Sequence, residues 1–170
     1  MDPASPPKAF ASDLEVADHG IGHRQCRQHG GLRATVAGLL ANVLEMQART
    51  DEAETYVTLT LDLADVDDTN SQVLARIVRA KLEAREGSAD AATAAARDAM
   101  ELADTTADVD FQGDVHSDFG VVLQRLGRSA EARAQFELAL QCYEHKGNVT
   151  SALAARGALD AIDPAGDRRP

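Results

Sequence analysis

The stretch Gly127-Arg128-Ser129-Ala130-Glu131-Ala132-Arg133-Ala134-Gln135-Phe136 decides the fold. Glycine is the cheapest residue at a left-handed helix exit, and an acid in the first turn suits the positive end of the next helix. The same grammar of small residue, short polar turn, acid and alanine stands at Gly87-Ser88-Ala89-Asp90-Ala91-Ala92 and at Ala48-Arg49-Thr50-Asp51-Glu52-Ala53. The three copies are spaced by 39 and 40 residues, a period in the range of helical-hairpin solenoids.

The match extends outward from each turn. Twelve residues before the turn alanine sits another small residue, at Ala41, Ala80 and Gly120. Four and seven residues after it come Val57 and Thr60, Ala96 and Ala99, and Phe136 and Ala139. Two helices of a hairpin approach closely only where neither carries a bulky side chain, so small residues at fixed offsets read as contact points.

Helix-period stripes fill the intervals. They are expected over Leu32–Gln47 (Leu32, Val36, Leu39, Leu40, Val43, Leu44), Asp51–Ala64, Val73–Glu86, Ala89–Ala103, Phe111–Leu126, Ser129–His145 and Val149–Ile162 (Val149, Leu153, Ala154, Leu159, Ile162). Asp51, Ser88, Ser129 and Asn148 are candidate N-caps, and Gly87, Gly127 and Gly147 candidate exits. No stretch alternates with period two, so almost no strand is expected. The alanine tract Ala89–Ala103 reads as tight packing, because a membrane-surface helix would need large apolar residues and basic flanks. A weak helix from about Asp13 to His29 would cover the first hairpin, and Val149–Ile162 would cap the last.

The pattern small–x11–Ala–x3–(bulky or Ala)–x2–Ala resembles the tetratricopeptide repeat. The third unit is the best copy, with Phe119-Gly120, Leu123, Ala132, Phe136 and Ala139. The first has Thr60 in place of the final alanine, the second has an alanine-only second helix, and all exceed the usual length of about 34 residues. From about Gly30 to Leu159, and most specifically at Tyr143-Glu144-His145-Lys146-Gly147-Asn148-Val149, the chain resembles the C-terminal helical-repeat region of LuxR-type ATP-dependent regulators and adenylate/guanylate-cyclase-like proteins, mainly actinobacterial. The resemblance implies an all-α, right-handed helical-hairpin solenoid of about three hairpins (32–65, 70–103, 109–146) plus a cap over 149–162, forming one domain over 14–162. Residues 1–13, rich in Pro, Ser and Ala, and 163–170 are expected as disordered ends. It also implies a detached sensor or scaffold portion of a bacterial signalling regulator, without that regulator's catalytic modules.

Composition narrows the function. Lys+Arg total 17 against 28 Asp+Glu, a net charge of −11, and a body so acidic repels phosphate backbones. The longest apolar runs, Val36–Ala41 and Ala91–Ala96, are too short to span a bilayer. No export signal shows in Met1–Ala11, and two cysteines, Cys26 and Cys142, make no disulfide framework; a cytoplasmic setting is expected. Cys142 reads as a small apolar residue of the last hairpin.

No phosphate loop or nucleophile turn of known pattern occurs, and the paired Asp67-Asp68 reads as a solvated turn. No catalytic residue and no cofactor are assigned. One cluster has ligand chemistry: on a helix His19, His23 and Cys26 would share a face, and histidines four apart can hold zinc. One helix cannot wrap four ligands around an ion, however, and Gly20 and Gly22 weaken it. A small metal-binding protein is therefore the alternative to a non-catalytic protein-interaction module. For the latter, the tetratricopeptide resemblance implies that the first helix of each hairpin lines a groove, which selects Asn42, Glu45, Lys81, Arg85, Asp114, Ser117, Gln124 and Arg125. Lys81, Arg85 and Arg125 would form a basic strip for a partner's carboxylates. A protein or peptide partner is expected, with self-association through the uncapped N-terminal end.

Overall fold

The computed structural model describes residues 23–162, with side chains from Gly31 onward. Seven α-helices follow one another: α1 His23–Met46, α2 Thr50–Leu63, α3 Thr69–Glu86, α4 Ala89–Ala103, α5 Val109–Arg125, α6 Ser129–Lys146 and α7 Val149–Ile162. No strand occurs among the described residues. None of the described helices is long and apolar enough to cross a membrane. The disordered ends expected at 1–13 and 163–170, and the start of the weak helix at Asp13, lie outside the described residues.

The turns repeat in hydrogen-bond detail. The amide of Arg49 donates to the Leu44 carbonyl, Ser88 to Glu83, Arg128 to Leu123 and Asn148 to Tyr143, each across five residues. The preceding amides, Ala48, Gly87, Gly127 and Gly147, donate three residues back, to Glu45, Ala84, Gln124 and Glu144. This pair of bonds closes a helix whose exit residue is left-handed. Gly87, Gly127 and Gly147 have φ of 83°, 73° and 76°, and in the first turn Ala48 takes φ 59° without a glycine's freedom. The next helix then begins with Ala53, Ala92, Ala132 and Ala152 donating to Arg49, Ser88, Arg128 and Asn148. The fourth closure, between α6 and α7, repeats the turn at a shorter interval that the 40-residue comparison did not capture.

Consecutive helices pack against each other, and α1, α3 and α5 also pack side by side. Ala41, Ala80, Gly120, Ala53, Ala92 and Ala132, the predicted contact points, are all buried. At Gly120 a methyl group would sit 2.7 Å from the Phe136 ring, and at Gly38 one would sit 2.7 Å from Leu74 Cδ2. Thr60, at the position where alanine was expected, is fully buried and donates its hydroxyl to the Tyr56 carbonyl at 2.7 Å. That bond satisfies the extra polar group within its own helix. The alanine tract buries Ala92, Thr93, Ala96, Ala99 and Ala103 along one side of α4, as tight packing requires.

Several expectations change. α1 runs unbroken through Gly30-Gly31, joining the residues read as the end of a weak helix to those read as the first hairpin. Its large apolar stripe faces out: Leu32, Val36, Leu39 and Val43 are exposed, while Ala34, Ala37, Ala41 and Leu44 are buried. Val149 and Leu153 of α7 are also exposed, because α7 packs through Ala152 and Ala155. α3 starts four residues earlier than expected, because Asp68 accepts from the Ser71 amide and caps it. Asp108 caps α5 in the same way, by accepting from the Phe111 amide. Of the four predicted caps Asn148 accepts from Ser151, Ser88 holds the cap position without a side-chain bond, and Asp51 and Ser129 lie inside their helices.

Two substitutions test this geometry by urea unfolding. Ala48→Gly should raise stability by about 0.5–1 kcal/mol, since left-handed alanine is strained by more than the entropy that glycine adds to the unfolded chain. Gly120→Ala should lower it by about 1–3 kcal/mol by overpacking against Phe136, whereas Gly157→Ala, with open space around it, should not.

Candidate functional site

The residues selected from the sequence fall on the three helices that pack side by side. α1 supplies Asn42 and Glu45, α3 supplies Lys81 and Arg85, and α5 supplies Asp114, Ser117, Gln124 and Arg125. The structure brings them together in a way that changes their chemistry. The Glu45 side chain has no exposed surface. Arg85 donates to its Oε1 at 2.7 Å and to its backbone carbonyl at 3.1 Å. Arg125, eighty residues further on, donates to the same Oε1 at 2.6 Å, to Oε2 at 3.3 Å and to the Lys81 carbonyl at 3.1 Å. Burial alone would raise the Glu45 pKa, but the hydrogen bonds and charges of Arg125 and Arg85 together outweigh it and hold the carboxyl below its usual value.

Lys81 is matched as well. Its Nζ lies 2.6 Å from Asp118 and donates to Asn42 Oδ1 at 3.0 Å, with only 6% of its side chain exposed. All three cations of the expected basic strip are thus engaged by acids of the chain itself. A strip of this kind could not be recognised as neutralised from the sequence, because Asp118 was not among the selected residues and Glu45 was read only as a separate lining residue of the groove. The signal was the spacing of 40 residues from Glu45 to Arg85 and again to Arg125.

Beside this clamp an open groove of about 380 Å³ crosses α1, α3 and α5 and reaches α6. Leu39, Leu74, Ile77 and Phe111 give it an apolar lining, and Asn42, Asp114, Ser117 and Asp118 a polar edge. Tyr143, a residue missed by the sequence selection, closes one end and donates its hydroxyl to Asp114 Oδ1 at 2.8 Å. Its close approach to α5 depends on Gly113, where a methyl group would meet the ring at 2.9 Å. Burial, then the Asp114 carboxylate, pushes the Tyr143 phenol far above its ordinary value, so it stays a donor. The Asp114 pKa is raised by burial, against the lowering effect of the Tyr143 bond, and raised further by Asp118, Asp110 and Asp108. The charged residues lining the groove are both acids, Asp114 and Asp118; the Asp114 residue is open to solvent overall while its carboxyl is partly desolvated against Tyr143. Gln124 is exposed and lies off this groove.

Among the described residues no group of three His, Cys, Asp or Glu side chains is arranged to hold a metal ion. Of the His19, His23 and Cys26 cluster, His19 lies outside the described residues and the other two outside the described side chains. Cys142 is half-buried and unpaired, and burial with the charges of Asp104 and Asp110 raises its pKa, so the thiol stays protonated. No family model matches the chain, and no curated protein matches it.

Replacing the Glu45 carboxylate tests the clamp. Glu45→Gln should cost about 2 kcal/mol at neutral pH, less than for a fully buried pair because both guanidinium groups reach solvent. The Glu45 pKa is lower folded than unfolded, so its stabilisation is complete above the usual 4.5 and declines as pH falls through the lowered value. The gap between wild type and Glu45→Gln in urea midpoint should narrow over that acidic range; a gap that widens there would contradict the assignment.

Proposed function

We propose that this chain is a non-catalytic protein-interaction module, built as a right-handed stack of three degenerate tetratricopeptide-like hairpins with α7 as its cap. The matching turn closures, the buried small residues at equal offsets and the side-by-side packing of α1, α3 and α5 support that architecture. The observation that carries the function is the groove: an apolar floor crossing three helices, edged by acids, with its neighbouring cations already neutralised. A surface of this composition suits a peptide segment with apolar side chains and a lysine or arginine, not the carboxylate-bearing partner expected from the sequence. A cation placed at Asp114 relieves the mutual repulsion of Asp108, Asp110, Asp114 and Asp118, and Tyr143 holds the carboxylate in position to receive it. Leu39, Leu74 and Phe111 then take the apolar neighbours.

Fluorescence anisotropy with two labelled peptide pools, one mixing Leu with Lys and Arg, the other Leu with Asp and Glu, separates the alternatives. The cationic pool should bind, and Asp114→Lys should weaken that binding about tenfold or more while helicity is unchanged. Preference for the acidic pool, binding of neither pool, or indifference to Asp114→Lys would refute the reading.

A further inference from the structure

The outward face of α1 carries a row of large apolar residues of which only Leu39 also lines the groove. Leu32, Val36, Leu39, Val43 and Met46 follow one another at spacings of four, three, four and three residues, the period of a coiled-coil seam. They are 66%, 51%, 53%, 46% and 73% exposed. The inward face of the same helix carries Ala34, Ala37, Ala41 and Leu44 and is already packed. An end helix bordered only by water usually reverses that order, with its large apolar residues inside. At the edge of the stripe a second apolar cleft of about 240 Å³ is lined by Leu32, Val36, Leu40, Tyr56, Leu59 and Leu63.

We propose that this face is a homodimer interface in which α1 pairs antiparallel with α1 of a second copy about a two-fold axis at Leu39. The stripe is nearly the same read in either direction from Leu39. In the antiparallel register Leu39 meets its own copy, Val36 meets Val43, and Leu32 meets Met46. Met46, the most exposed and most flexible of the five, then sits at the mouth of the Leu32 cleft. Charge selects the direction. α1 carries Arg24, Arg27 and Arg33 and no acid before Glu45, while α2 opens with Asp51, Glu52 and Glu54. A parallel pair would set Arg33 beside its own copy, whereas the antiparallel pair sets Arg33 toward the end of α1 that leads into the acidic start of the other copy's α2. Area fits too. At roughly 100 Å² for each exposed side chain, the five offer about 500 Å² per copy, or about 1,000 Å² for the pair. That is the lower bound of a specific interface and fits a reversible dimer. Residues 1–22 suit this face less well: a helix doubling back from His23 at about 1.5 Å per residue would come level with Leu39 around its two adjacent prolines, Pro6 and Pro7.

Leu39 belongs to both the stripe and the groove, but Val36 and Val43 do not line the groove, so the oligomeric state is read without reference to peptide binding. Sedimentation of the full chain at roughly 100 µM should give twice the 18.0 kDa chain mass and should fall toward a single chain on dilution. Val36→Glu with Val43→Glu, both at exposed positions, should give single-chain mass at the same concentration with unchanged helicity. For direction, Leu32→Cys and Met46→Cys chains, both lacking Cys26 and Cys142 through serine replacement, are mixed and oxidised. Disulfides between the two kinds of chain support the antiparallel pair, and links only between like chains overturn it. A single-chain mass for wild type, including one that becomes a dimer only when residues 1–22 are removed, would also overturn the proposal, as would a dimer that survives the double glutamate variant.

Discussion

Gly120 and the ring of Phe136 lie so close that a single methyl group would not fit between them. Helices brought this near gain many weak dispersion contacts, but only if small residues recur where the axes converge. The alanine content follows from that constraint: Ala41 and Ala53, and Ala80 and Ala92, stand at the matching offsets. It also explains how a chain with only 4% aromatic residues closes a core. Two of the rings sit where a glycine faces them, Phe136 at Gly120 and Tyr143 at Gly113.

The same constraint decides which way α1 faces. Close approach to α2 and α3 requires its small residues inside, and at Gly38 even a methyl group would strike Leu74. The larger side chains of α1 are left on the other side by default. A reading based on hydrophobic period alone assigns the largest residues to the core, which is sound for widely spaced helices and fails where separation is short.

The fold was largely legible because its repeating turns are local. Each closure is made by residues within five positions of one another, and glycine, alanine and an early acid announce it directly. Ala48 shows the limit, since its left-handed backbone is visible in the sequence only through alignment with Gly87 and Gly127. The caps Asp68 and Asp108 were missed because both stand in polar runs where several residues could serve. The placement of the selected residues on adjacent helices was legible, and their charge state was not. Asn42, Lys81, Asp114 and Ser117 were correctly placed on neighbouring helices, but whether a cation is free depends on which acid the packing sets beside it. Lys81 meets Asp118 only because α3 and α5 run side by side.

The reach of the Glu45 carboxylate has a consequence for how the chain comes apart. Arrays stitched only to their neighbours can fray from an end, one unit at a time, and their thermal transitions broaden accordingly. Glu45 and Arg125 stand 80 positions apart, yet they share a bond, with Arg85 on the same oxygen. Losing α5 strips Arg125 from Glu45, whose side chain has no exposed surface. α1 and α5 are thereby joined by a direct ion pair, a link that an array bonded only between sequence neighbours would lack.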